Sequence, residues 1–240
     1  MKTALQLSAL ITFLMIFTTA CAGQWGESVK GNGNVTKTTR TVNSFSGVSA
    51  SSGVDVYLFQ GDENKVVVEA DENLQDCIIV KIEGSTLKCY IDCNVRRSTK
   101  MNVYVNFTEL NSISASSGSD VYGETLLVTD QLWINASSAA DVKIETIAGN
   151  ITAKASSGSD IVLKGKAGNF TAEASSGSDI KAKALNANSC KLNASSGSDI
   201  NVTVSDYIDA KASSGSDIVY YGNPKKEFIN ASSGADITSR

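Results

Sequence analysis

The sequence predicts an all-β solenoid of coils about 19 residues long, on three observations. First, a heptad, A-S-S-G-[SAV]-D-[IV], occurs eight times, beginning at Ala50, Ala115, Ala136, Ala155, Ala174, Ala194, Ala212 and Ala231. The copy at Ala136 carries Ala139 in place of glycine. Second, from Ala115 onward the copies step by 21, 19, 19, 20, 18 and 19 residues, a period that marks stacked supersecondary units. Third, the flanks of each heptad alternate. Phe170, Ala172 and Ala174 stand against Thr171 and Glu173, and Ile180, Ala182 and Ala184 against Lys181 and Lys183, the period-two pattern of strands. Function is therefore to be sought on the surface of a stack.

The chain begins with a leader. Lys2 supplies a positive n-region and Ala4 to Phe17 an apolar h-region too short for a comfortable membrane span. Thr18, Thr19, Ala20 and Cys21 follow; small residues before a cysteine resemble the bacterial lipoprotein signal, although Thr18 stands where leucine is usual. The expectation is a signal peptide over 1–20, lipidation of Cys21, a tether over 21–30, and one β domain over 31–240 with its regular repeats in 111–240. Two or more acyl chains would hold such a domain on a membrane. An ordinary secretory signal with a coincidental cysteine is the alternative.

Next come Gly31 to Val35, the first heptad, an alternating run from Val54 to Gln60, a strand around Val66 to Val68, and a single helical turn over Asp71 to Gln75. Ile78 to Ile82 and Thr86 to Ile91 flank Glu83-Gly84-Ser85, a hairpin connection. Cys89 and Cys93 are too far apart along a strand to bridge each other. Cys77 can pair with either, or all can remain buried free thiols, and Cys190, at an inward position, reads as a buried thiol.

Several of these stretches resemble one family. The residues are G-N-G-N-V from Gly31, F-S-G-V from Phe45, S-G-V-D-V-Y-L from Ser52, Gln60-Gly61 and V-E-A-D-E-N-L from Val68, together with the G-S-D repeats. Their order and spacing are similar to the auto-transporter adhesin family with the head GIN domain, found as exported proteins of Bacteroides-like bacteria. The resemblance implies a right-handed parallel β-helix, no recognised catalytic residues, and a role in cell adhesion.

Stacked coils put equivalent residues into ladders. One inward ladder reads Ile113, Ile134, Ala153, Ala172, Leu192, Ala210, Ile229; the other reads Val121, Val142, Ile161, Ile180, Ile200, Ile218, Ile237. Asp55, Asp120, Asp141, Asp160, Asp179, Asp199, Asp217 and Asp236 mark the corners as structural turn residues. Adjacent carboxylates about 4.8 Å apart repel by about 1 kcal/mol in water. Hydrogen bonding of each aspartate to its own turn, helped by serines and lysines, is expected to offset this; calcium between coils is the sharper alternative. Asn135, Asn150, Asn169, Asn193 and Asn230 read as a periodic coil position, and Trp133 as an outward aromatic beside inward Leu132 and Ile134.

No histidine occurs, which removes the commonest general base and zinc ligand. Repetition of the aspartates argues for structure over a unique site, so no catalytic residue, no cofactor and no metal is expected. A net charge of −4 with both signs mixed argues against a nucleic-acid partner. The expectation is a non-enzymatic lipoprotein of the bacterial envelope, on the outer membrane, adhering to a host surface, matrix or glycan through the outer ladders. A structural envelope protein without a ligand comes second, and a polysaccharide-processing enzyme last. An open final coil leaves self-association as a further expectation.

Overall fold

The computed structural model describes residues 28–240. The expected signal peptide, Cys21 and Trp25 lie outside the described residues. From Ser112 onward the chain stacks in parallel, with like placed on like: Asp141 on Asp160 on Asp179, and Ala136 on Ala155 on Ala174 on Ala194. The stack makes about seven turns. Each regular coil is one nearly continuous strand, Asp141–Ser156, Asp160–Ser175, Asp179–Ser195 and Asp199–Ser213, interrupted only at the A-S-S-G corner. The second corner lies inside these strands. Burial changes phase at Gly149–Asn150 and at Asn188–Ser189, where coils approach so closely that a Cβ on Gly168 would meet the Gly149 carbonyl oxygen at 2.6 Å.

Both inward ladders are buried through Ala210 and Ile218. The last coil departs from the expectation. Ile229 is 44% exposed and Ile237 only partly buried, because Lys226–Ala231 and Asp236–Ser239 have a neighbouring coil on one side only.

The other end is built differently. Gly47–Ser51 is sandwiched in parallel between Thr86–Ile91 and Ser112–Ala115, and Asp55–Gln60 between Met101–Phe107 and Val121–Gly123. The first heptad thus sits against the second, Ala50 beside Ala115, while the residues between them go out and return. On that excursion Lys65–Asp71 lies antiparallel to both Met101–Phe107 and Val35–Arg40. Ile78–Glu83 and Thr86–Ile91 form the expected hairpin. The expected helical turn is a 3₁₀ helix, Glu72–Cys77. A disulfide joins Cys77 to Cys93; Cys89 and Cys190 are buried thiols, both pushed up to about 12 by desolvation. Val29–Lys30, in the stretch read as tether, already pairs with Val95–Arg97.

The motifs G-N-G-N-V and E-A-D-E-N meet in this cap. Asp71, fully buried, accepts hydrogen bonds from the backbone N–H of Gly33 (2.7 Å) and of Thr99 (2.6 Å). Gly31 lies so close that a Cβ there would stand 2.7 Å from the Asp71 carboxyl carbon. Asn73 clamps the same loop, accepting from Asn32 N–H and donating to the Lys30 carbonyl. The backbone donors around it, Thr99 first, hold the Asp71 carboxyl below the usual carboxylate range.

Candidate binding surface

The eight corner aspartates form one column, with Asp55 beside Asp120 at its cap end. Their bonding differs from the expectation. Near the cap the carboxylates reach the next coil rather than their own turn: Asp120 accepts from Asp141 N–H at 3.0 Å and Asp141 from Asp160 N–H at 3.3 Å; further along, the N–H groups of Asp179, Asp199, Asp217 and Asp236 donate to serine carbonyls of the preceding coil. Asp236, last in the column, accepts from its own strand, from Ile237 N–H and the Thr238 hydroxyl. Lysines complete the offset, with Lys181 bridging Asp160 and Asp179 and Lys143 pairing with Asp141. Desolvation, and then neighbouring aspartates, still raise the pKa of Asp55 and Asp199.

In four successive corners the group that holds the turn is the serine before the aspartate, which sequence reasoning passed over. Ser159, Ser178, Ser198 and Ser216 are fully buried. The Ser178 hydroxyl accepts from Ser175 N–H within its turn (3.1 Å) and lies 2.8 Å from the Ala155 carbonyl of the preceding coil. The signal was present in the alternation, since Ser178 shares the inward parity of Ile180 and Ala182. In the copy at Ala136 this position is Ala140, and Ala139 takes the left-handed φ of 58°. The serine before each corner glycine is left-handed too, as Ser176 is at φ 56°.

Much of the corner column's polar chemistry is therefore turned inward, onto neighbouring coils, lysines and the buried serines. Among the described residues no group of three or more His, Cys, Asp or Glu is placed to hold a metal. A second outward feature is covered by its own rings and lysines. Tyr104, Tyr57 and Tyr122 stack with centroids 5.2 and 5.3 Å apart, and Lys37 and Lys143 cover the two ends of the stack. The Tyr104 hydroxyl donates to Glu69 and that of Tyr122 to Asp120.

A third feature is open. Trp133 points outward and is 54% exposed, as its position between buried Leu132 and Ile134 predicts. Its ladder neighbours are the small residues Ser112 and Thr152. Exposed Val128 and Ile147, which are register partners, lie near it. Together with Glu109, Leu110, Asn111, Asp130, Gln131, Ala148 and Gly149 they line a groove of about 840 Å³. The second corner creates this groove. A Cβ at Gly149 would come within 2.9 Å of the Asp130 carbonyl oxygen, and neither residue has a register partner there. On its other flank Trp133 borders a smaller groove of about 270 Å³, lined by Ser114, Asn135, Thr152 and Lys154 among others.

Solved structures share this architecture. A protein from Bacteroides fragilis NCTC 9343 described as a "putative adhesin" superposes with a TM-score of 0.83 at 24% identity, covering 89% of this chain and 100% of its own. A "putative adhesin" from Parabacteroides merdae ATCC 43184 gives 0.70 at 19% identity, over 89% and 100% of the two chains. A "putative lipid binding protein" from Parabacteroides distasonis ATCC 8503 gives 0.71 at 19%, over 88% and 100%. At these identities the likeness shows the fold. Comparison with curated proteins finds no match. A family model spans the first coil, the cap and most of the stack, residues 44–224. On that match the chain belongs to the family described as "Putative auto-transporter adhesin, head GIN domain".

Proposed function

We propose that this protein is a non-enzymatic adhesin of the bacterial envelope, anchored through a lipid on Cys21 to the outer membrane, and that it engages its target through the outer face beside Trp133. The observation that carries this reading is the contrast among the three outward features. The aspartate column and the tyrosine stack pair largely within themselves, through lysines, neighbouring coils and ring stacking, whereas the Trp133 groove gathers exposed apolar side chains, Val128, Trp133 and Ile147, with polar ones. Grouped exposed apolar residues on an otherwise polar surface mark an interaction site. Family membership and the adhesin descriptions of its structural neighbours support the same reading. No helix among the described residues is long and apolar enough to cross a membrane.

The test is attachment of whole cells. Cells making the protein should adhere to epithelial monolayers, mucin or extracellular matrix more than cells lacking it, and Trp133→Ala should abolish the difference. Protease treatment of intact cells should remove the protein. Equal adhesion with and without the protein, or protection until the outer membrane is breached, would favour the structural envelope role.

A further inference from the structure

We infer that the groove beside Trp133 binds an uncharged pyranose glycan; the inference rests on the adhesive reading and names its ligand. The indole is the first ground. Among the described residues Trp133 has no aromatic partner, unlike Tyr57 and Tyr104, whose faces cover one another. With Ser112 and Thr152 beside it, the indole stands clear of its ladder neighbours. The face of an aromatic ring is electron-rich and accepts the polarised C–H groups on the apolar face of a pyranose.

The polar lining is the second ground. The side chains of Glu109, Asn111, Asp130 and Gln131 are exposed, and none makes a hydrogen bond or ion pair within the described residues. This differs from the neighbouring coil position, where Asn169 donates to Asn150 at 2.8 Å. Two carboxylates accept from sugar hydroxyls, and two carboxamides both donate and accept.

Charge and desolvation then exclude the competitors. The groove lining contains two carboxylates and no lysine or arginine, so a phosphate headgroup, a sulfated sugar or a sialic acid would meet repulsion without a counter-charge. An acyl chain or apolar peptide would satisfy Val128 and Ile147 but strip water from four polar side chains without replacing their hydrogen bonds. An uncharged polyol with an apolar face satisfies both sets. The volume, about 840 Å³, falls within the range of about 300–1,000 Å³ usual for small-ligand sites. The smaller groove across the indole, whose Lys154 is already paired with Glu173, gives a longer oligosaccharide room to continue.

The experiment uses the protein as isolated from the cells that make it, applied to an array of neutral, sialylated and sulfated oligosaccharides and, in parallel, to phosphatidylcholine and phosphatidylglycerol vesicles. Binding confined to neutral glycans is expected. Trp133→Ala should weaken it at least tenfold with an unchanged thermal midpoint, Trp133→Phe should restore part, and Gln131→Ala should weaken it several-fold. Silence across the array, preference for acidic glycans or vesicles, or indifference to Trp133→Ala overturns the inference. Adhesion of cells that is lost with Trp133→Ala while the array stays silent overturns the glycan and leaves the adhesin. Neutral-glycan binding through Trp133 without cell adhesion does the reverse.

Discussion

The two ends of this solenoid solve the same problem by opposite means. In the regular stack every coil meets a near-copy of itself, so stability is repeated: the same alanine, serine and isoleucine contacts recur from Ala136 to Ile218. In the cap the contacts are individual. Three antiparallel pairings, a 3₁₀ turn, a disulfide and a buried aspartate each join a different set of residues. The difference teaches where single substitutions should matter. A unique contact has no neighbour to share its loss, whereas a coil is one term in a sum over units and interfaces.

The largest effect is expected for Asp71→Ala. It leaves the N–H groups of Gly33 and Thr99 without their carboxylate in a closed site, a cost on the order of 3 kcal/mol. Hydrogen exchange should show the loss confined to 28–110, with protection in 141–213 retained. Uniform loss along the chain would erase the distinction between cap and stack. Next is Ala174→Phe. Ala174 packs between Ala155 and Ala194 beside the corner, and overpacking there should cost about 1–3 kcal/mol, read as a lower thermal midpoint. An unchanged midpoint would contradict its inward packing. A smaller loss, about 1 kcal/mol, is expected for Ser178→Ala. The coil at Ala140 folds without that hydroxyl, so a loss as large as that of Asp71→Ala would show the stack to be less repetitive than its geometry.

The smallest effect is acid. The Asp71 carboxyl is held low by backbone donors and Glu69 by the Tyr104 hydroxyl. Their stabilisation is complete above the ordinary carboxylate range and is lost as pH falls through the lowered values. Asp55 and Asp199 are raised; their ionisation costs stability as pH rises through the raised values, and protonation relieves it. On lowering pH the column should tighten slightly before the cap loosens. Pepsin cleavage within 61–110 should therefore appear at a higher pH than cleavage within 141–213, and the opposite order would reverse the assignment.

The stack was legible because Ile161, Ile180 and Ile200 recur at one period and alternate with polar residues, and both facts are local. Ser178 was passed over because serine in a polar tetrad looks like turn chemistry, and aspartate looks like the better acceptor; only inward parity separates them. The order of the cap was hidden, since placing Thr86–Ile91 outside Gly47–Ser51 depends on pairing across distant residues. Even so, the shared letters of the first two heptads hinted that Ala50 would lie beside Ala115. At the site, the exposure of Trp133 could be read from its neighbours. The groove could not, because it arises where the second corner brings Asp130 against Gly149, and no periodic signal marks that corner.

The in-register corner has a consequence for the size of the molecule. Because each A-S-S-G-S-D turn bonds to a turn of nearly the same sequence above and below, as Gly177 N–H does to the Ser196 carbonyl and Asp179 N–H to the Ser159 carbonyl, a coil can be duplicated or deleted in frame without new partners being needed. Each addition lengthens the rod by about 4.8 Å, measurable by small-angle scattering, and leaves the cap and the Trp133 groove as they were. Copy number thus works as a ruler for this protein, and reach becomes a trait that recombination between repeats can adjust without redesigning either end.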